Sequence, residues 1–350
     1  MLVHLPLVLR GQDRPSVRPT ATATDAGVAT PSVTPQRTAS ATHQPTGSVT
    51  PQKTASATLQ ATGSVTPEAT SSVTPQATGP APSRPPVDEC AEAAEEWLFC
   101  DDFESGGTWD GSVTDPPVIE HPGPSDADDN RVAQLRVPAG PGGMGLWKKL
   151  PERDRLYARW YVQWEPGHDI SARHHGPGGL GADTAWYTGR SGIRPDGDEY
   201  FVSTLEPRTT APYVLYAYTY YRGMYMDCAD PNGRCWGDHF PCYASPRYCT
   251  RPEYLPTVEQ AGVETGPWYC LEQMIDAGTP SADGGDTDGQ LDFWIDGLEI
   301  GPWTDLWWRT VPTLKVNILW LFLYHHDDAH SAEGLLLDNV VVSESRIGCP

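Results

Sequence analysis

Short runs of β-branched and aromatic residues, each bounded by Gly, Pro, Asp or Ser, fill the C-terminal three quarters of the chain. Trp268 to Ile275 (WYCLEQMI), Leu291 to Glu299 (LDFWIDGLE) and Leu335 to Gly348 (LLLDNVVVSESRIG) predict three strands of one antiparallel sandwich, because such runs suit a half-buried pleated surface. Asp296-Gly297 is a tight-turn signal between apolar runs, and the Asp-rich stretch Ser281 to Gly289 predicts a loop. Further strands are predicted at Phe99 to Phe103, Arg131 to Val137, Gly145 to Lys149, Leu156 to Trp164, Tyr200 to Leu205, Tyr213 to Tyr221 and Leu314 to Tyr324. Only Asp88 to Trp97 reads as helix. The expected fold is therefore all-β, a two-sheet antiparallel β-sandwich of the jelly-roll kind.

Alternation within two strands separates a core face from a polar one. Leu156, Ala158, Trp160, Val162 and Trp164 alternate with Tyr157, Arg159, Tyr161 and Gln163. Tyr216, Tyr218 and Tyr220 likewise oppose Leu215, Ala217, Thr219 and Tyr221. Tyrosines and arginines on a sheet face suit sugars, since rings stack on pyranose faces while phenols and guanidinium groups bond hydroxyls and carboxylates. The alternative is that these tyrosines pack beneath a neighbouring loop.

The opening quarter is different material. From about Val17 to Pro86 the chain is Thr, Ser, Ala, Pro, Gln and Gly without an aromatic residue, so it cannot bury enough apolar surface to offset the entropy of ordering. Ser-Val-Thr-Pro recurs from Ser32, Ser48, Ser64 and Ser72, and a repeat without apolar periodicity reads as a linker or stalk. Residues 1–87 are thus expected to be a disordered stalk and 88–350 the folded domain, with a Cys-rich insertion at about 222–267. Met1 to Leu9 is apolar but interrupted by His4 and Pro6, and Arg10 follows. It makes a poor secretory leader and reads as a truncated or misassigned start. No run of eighteen apolar residues occurs, so no membrane span is expected.

All eight cysteines (Cys90, Cys100, Cys228, Cys235, Cys242, Cys249, Cys270 and Cys349) fall in the folded part. An even number behind a stalk points to disulfides and to an extracellular or cell-surface location. Four recur every seven residues from Cys228 to Cys249, without the close C-x2-C pair of a zinc site. Residues 88–350 hold 18 basic and 43 acidic residues. That balance argues against nucleic acid as a partner, because neutralising phosphate requires a basic face.

FCDDFESG (Phe99 to Gly106), LYARWYVQWEPG (Leu156 to Gly167), HHGPGGLGA (His174 to Ala182), DGQLDFWIDGLE (Asp288 to Glu299) and LLLDNVVVSESRIG occur in an order that resembles the concanavalin A-like jelly rolls of the alginate and glucuronan polysaccharide lyases. The resemblance covers roughly Phe99 to Gly348 apart from the Cys-rich insertion. It implies a polysaccharide partner and cleavage of a uronate polymer by β-elimination, which needs a group to neutralise the carboxylate, a base for the C5 proton and an acid for the leaving O4. Lyases of this type carry Lys just before a Pro-Gly-Leu element; here the matching stretch is His174-His175-Gly176-Pro177-Gly178-Gly179-Leu180. Imidazole, with an ordinary pKa of about 6.5, is a competent base. The expected roles are His175 as base, Tyr218 or Tyr220 as acid, and Arg159 or Arg190 as carboxylate neutraliser. Gln163, His174, Trp186, Tyr187 and His325 would contact substrate.

No cofactor is expected for catalysis. Asp102, Glu104 and Asp338 are candidate ligands of a structural Ca2+, for which hard oxygen donors are suited. His325-His326-Asp327-Asp328-Ala329-His330 is favoured as a substrate-rim loop over a metal site. A monomer is expected. A noncatalytic glycan-binding or adhesin domain explains the stalk and scaffold equally well. A glycoside hydrolase ranks last, because Glu272 and Asp276 have the wrong spacing for two acids on one strand face.

Overall fold

The computed structural model describes residues 85–86, 88–92, 95–171, 174–184, 193–225, 236–241, 261–325 and 333–350 of the 350-residue chain. Among the described residues, a 3-10 turn at Glu89–Glu92 precedes seventeen strands. These are β1 (Trp97–Asp101), β2 (Gly111–Val113), β3 (Val118–Glu120), β4 (Arg131–Val137), β5 (Gly142–Arg153), β6 (Arg155–Trp164), β7 (His174–His175), β8 (Gly178–Asp183) and β9 (Tyr200–Pro207). There follow β10 (Leu215–Tyr220), β11 (Asp238–Phe240), β12 (Trp268–Asp276), β13 (Gly289–Ile295), β14 (Leu298–Glu299), β15 (Trp303–Leu306), β16 (Val316–His325) and β17 (Glu333–Ser343).

They form two antiparallel sheets, as the alternation predicts. Sheet I runs β14-β13-β12-β6-β17-β4-β3, with β1 beside β17 and β15 beside β13. Sheet II runs β11-β10-β9-β8-β16-β5-β2, with β7 beside β16. Hairpin neighbours such as β12-β13 and β9-β10 are joined by long-range pairings such as β6-β17, β17-β4, β8-β16 and β16-β5, the crossed connectivity of a jelly roll. The core between the sheets takes Leu156, Ala158, Trp160, Val162 and Trp164 from β6, Phe201 and Leu205 from β9, Leu215 and Ala217 from β10, and Leu319, Leu321 and Leu323 from β16, all buried. The alternate positions of these strands therefore face outward on either side.

A polar tie crosses this core. Gln273 of β12 donates from Nε2 to Ser203 Oγ of β9 at 3.0 Å and accepts the Leu180 backbone N–H of β8 at 2.8 Å. Ser203 Oγ is in turn 2.9 Å from Thr219 Oγ1 on β10, so the buried amide and both hydroxyls have partners, as burial requires. Gly179 is obligatory beside this tie, because a Cβ there would overlap Ser203 O and come within 2.7 Å of Gln273 Oε1.

Several expectations need correction. Among the described residues of Asp88 to Trp97, a 3-10 turn at Glu89–Glu92 stands in place of an α-helix, and β1 begins at Trp97. The Gly-rich β8 was missed because it lacks strand-forming side chains; backbone pairing to β9 and β16 on its two edges holds it. The Cys-rich insertion also contributes β11, which pairs with β10 at the edge of sheet II. Asp296-Gly297 turns β13 into β14 with φ of 49° and 80°, the positive pair that a two-residue hairpin loop demands. Cys90 is bonded to Cys100 and Cys270 to Cys349, whereas Cys228, Cys235, Cys242 and Cys249 lie outside the described residues.

Candidate functional site

The outer face of sheet II carries the predicted tyrosines. Period-two geometry sends Tyr216, Tyr218 and Tyr220 of β10 to one side while Leu215, Ala217 and Thr219 turn inward. Register sets Tyr216 opposite Glu206, Tyr218 opposite Thr204 and Tyr220 opposite Val202 on β9. On the other edge Tyr218 is opposite His239 of β11. The Tyr218 and Tyr220 hydroxyls lie 2.8 Å apart, and their rings meet edge to face at 5.2 Å. The His239 ring is 4.4 Å from Tyr216 and 5.4 Å from Tyr218. Glu206 accepts hydrogen bonds from Thr204 Oγ1 at 2.9 Å and the Tyr216 hydroxyl at 3.3 Å.

These groups are well covered, Tyr218 being 9% and Tyr220 3% exposed. Burial holds the Tyr218 phenol well above its ordinary pKa of 10, with Tyr220 and the Glu206 charge adding to the shift. Tyr218 thus keeps its proton at neutral pH. Glu206, Thr204 and His239 were not singled out from the sequence, whereas Tyr216 belongs to the predicted tyrosine face. The alternation of Thr204 and Glu206 with Ser203 and Leu205 carries the signal for two of them. His239 had none beyond its place in the three-residue run Asp238-His239-Phe240.

The other predicted residues are distributed differently. His174 and His175 form β7 and pair through the backbone with His325 and Tyr324 of β16, which places them in sheet II. His325 is the last strand residue of β16 and is fully buried, so it is not the start of an exposed rim loop. Trp186, Tyr187 and Arg190 lie outside the described residues, as do 326–332.

Arg159 and Gln163 are corrections. Both point outward from β6 in sheet I, on the far side of the sandwich from the tyrosines. Arg159 is completely buried and pairs through Nη2 with Glu89 Oε2 at 2.7 Å, beneath the 3-10 turn. It cannot neutralise a substrate on sheet II. Gln163 donates from Nε2 to the Gly266 carbonyl. Alternation identified an outward face on β6 correctly; which sheet would own that face depends on long-range pairing, which no local pattern encodes.

Glu272, rejected as a hydrolase acid, also belongs to this back face. Its carboxylate accepts the Ile347 and Gly348 backbone N–H groups at 2.7 and 3.0 Å and is fully buried. It anchors the C-terminal tail, next to the disulfide Cys270–Cys349.

Asp102, Glu104 and Asp338 come near one another at this end of sheet I. Burial raises Asp338 to about 8, and the charges of Glu104 and Asp102 push the same way. Each nevertheless has protein donors. Asp338 accepts from Asn130 Nδ2 at 2.9 Å and from the Asn339 N–H at 2.8 Å; Asp102 accepts from the Cys90 N–H at 3.0 Å; Glu104 accepts from the Arg131 N–H at 2.6 Å. Among the described residues no group of three or more His, Cys, Asp or Glu side chains is arranged to hold a metal ion. Binding Ca2+ here would require these carboxylates to exchange protein donors for the ion.

No protein-family model matches the sequence, and no curated protein matches it either. Among solved structures, it is similar to the alginate lyase vAL-1 from Chlorella virus, at 13% identity over 70% of this chain and 96% of that one, with a TM-score of 0.49. It is also similar to the endo-β-1,4-glucuronan lyase of the fungus Trichoderma reesei, at 16% identity over 71% and 96% with a TM-score of 0.45. The marine PL-14 alginate lyase of Aplysia kurodai matches at 12% identity over 67% and 99%, with a TM-score of 0.43. At this level of similarity no residue role carries across.

Proposed function

We propose that this domain is a carbohydrate-active protein that cleaves a uronate-containing polysaccharide by β-elimination on the outer face of sheet II. The observation that carries the reading is the pair of phenols, Tyr218 and Tyr220, hydrogen-bonded at 2.8 Å beside the His239 imidazole. β-Elimination needs a proton donor poised for O4, and Tyr218 keeps its proton at neutral pH. His175, on β7 of the same sheet, is the proposed base for the C5 proton, with His174 beside it in contact with substrate. Arg190 is the proposed carboxylate neutraliser, and Trp186 and Tyr187 the proposed flanking contacts. As the C5–H bond breaks its electrons form the C4=C5 double bond, the C4–O4 bond opens, and the phenol proton passes to O4.

The reaction so written uses no cofactor. A structural Ca2+ at Asp102, Glu104 and Asp338 is a separate proposal, supported by the nearness of the three carboxylates, since the charges of Glu104 and Asp102 add to the burial that raises Asp338. The two disulfides support an extracellular or cell-surface location, and the protein is proposed to act there as a monomer. No helix of the described residues is long and apolar enough to cross a membrane.

A noncatalytic glycan-binding role is the second reading. Its support is the burial of Tyr218 and Tyr220 and the mutual satisfaction of their hydroxyls, which is also how phenols pack in a structural layer. Incubation with a panel of uronate and neutral polysaccharides, following both ultraviolet absorbance of unsaturated ends and retention on each polymer, separates the two. Product formation supports a lyase, and retention without product supports a binding module. His175→Ala should lower product release by about 10²-fold or more; undiminished release would remove His175 from the mechanism.

A further inference from the structure

The outer face of sheet II carries a second group of aromatic rings, across the strands from the tyrosines. Because Leu319, Leu321 and Leu323 of β16 turn into the core, Ile318, Trp320 and Phe322 turn outward. Ile318 and Phe322 are buried there without joining the core between the sheets, and Trp320 is half-buried. The Trp320 and Phe322 rings stack, with 3.9 Å between centroids and 18° between planes. Opposite Trp320 on β5 stands Trp147, also half-buried. Its indole lies against the backbone of β2, where a Cβ on Gly111 would come within 2.3 Å of the ring. Both indoles are thus held in place by their neighbours, which lowers the ordering cost of binding a ligand.

Register connects this group to the candidate site. One rung of sheet II runs from Trp147 through Trp320, Gly179, Thr204 and Tyr218 to His239. Trp320 and Tyr218 are three strand spacings apart, about 14 Å, and Gly179 between them adds no side chain. At the far end the exposed Lys149 places Nζ 5.7 Å from the Trp147 ring centroid. Asp110, whose carboxylate accepts the Lys149 N–H at 2.8 Å, is paired with Lys148 Nζ at 3.3 Å.

We propose that Trp147 and Trp320 form a binding subsite for a uronate ring of the polysaccharide, remote from the reacting bond, with Lys149 as the cation that meets the ring's carboxylate. The apolar face of a pyranose stacks on an indole, and the ammonium supplies the opposite charge at the rim. A polymer laid along the rung would span from this subsite to Tyr218. The subsite rests on the polysaccharide reading given above, and it serves a chain that cleaves or one that only binds.

Retention of the full chain is measured on alginate, glucuronan and a neutral β-glucan, and Kd with oligosaccharides of the retained polyuronate. Trp320→Ala should raise that Kd by about fivefold or more, whereas Trp268→Ala, on sheet I, should leave it unchanged. Lys149→Gln should raise Kd by about threefold in low salt and leave it unaltered in high salt, because exposed charge pairs are screened. If unsaturated product forms, Trp320→Ala should raise KM and leave kcat near wild type, as expected for a contact made equally in ground and transition states. A Trp320→Ala chain that binds as the wild type does overturns the subsite and leaves the polysaccharide reading standing. Tighter binding of the neutral glucan overturns the uronate assignment. A wild-type chain that neither binds nor cleaves any of the polymers overturns the reading and the subsite together. Should Trp320→Ala fail to fold, the wild type labelled with 5-fluorotryptophan decides the matter. The Trp147 and Trp320 fluorine resonances, identified by their loss in Trp147→Phe and Trp320→Phe, should shift as oligosaccharide is added; unmoved resonances at saturation overturn the proposal.

Discussion

The two outer faces of this sandwich are built from similar residues and put to opposite uses. On sheet I, Arg159, Glu272 and Asp338 are buried and paired: Glu89 with Arg159, the Ile347 and Gly348 N–H groups with Glu272, and Asn130 with Asp338. On the tyrosine face of sheet II, phenols, an imidazole and a carboxylate meet: Tyr216 donates to Glu206 across β10 and β9, the Tyr218 and Tyr220 hydroxyls share a hydrogen bond, and the His239 ring packs on Tyr216. A charge that is paired and immobilised serves the fold; groups that hold or release a proton at a shared site can serve chemistry. Residue type alone does not distinguish these cases. The partner does.

The comparison is broken most severely by removing Arg159. Arg159→Ala would leave Glu89 without its cation in a buried setting and should cost about 3–5 kcal/mol, read as a lowered midpoint of urea unfolding. If stability were unchanged while product release collapsed, Arg159 would belong to the site after all. Next in size is the staple at the C-terminus. Cys270–Cys349 closes a loop with a sequence separation of 79, and replacing both cysteines by Ser should lose about 2–4 kcal/mol by freeing the unfolded chain. Product release at a temperature where that variant stays folded should match the wild type.

A third test of the comparison is a pH dependence that belongs to sheet I. Asp338 and Asp292 are each raised from an ordinary 3.8 to about 8, chiefly by burial. Because the folded-state values are raised, the stability these groups contribute is fully present below about pH 4 and is lost as the pH rises through about 8. The melting temperature should therefore fall across that window, and less steeply in Asp338→Asn. Added Ca2+ that raises the melting temperature at pH 8 in the wild type, and not in Asp338→Asn, would support the ion site; identical melting with Ca2+ and with chelator would count against it.

Much of the scaffold was legible in the chain because it rests on period-two burial. Leu156 to Trp164 and Tyr213 to Tyr221 announce inward and outward positions residue by residue, and both patterns hold in the structure. The candidate site was half legible. Tyr218 and Tyr220 lie two apart on one strand, so their meeting is a local fact. Arg159 was grouped with them because its face is also polar and aromatic, yet β6 pairs with β12 and β17, far from β10. His239 was hidden for the converse reason, since the strand that carries it is three residues long and lies within a loop-like insertion.

Gln273 gives the sandwich a kind of vernier. β8 is mostly glycine and alanine, a strand with almost no side chains of its own to resist sliding past its neighbours, and a one-residue slip would exchange every inward position for an outward one. By gripping the Leu180 N–H and Ser203 together, an amide belonging to sheet I fixes where β8 and β9 sit. The alignment of Thr204 and Glu206 with the tyrosines is therefore set from behind, by a residue that never reaches the face it calibrates.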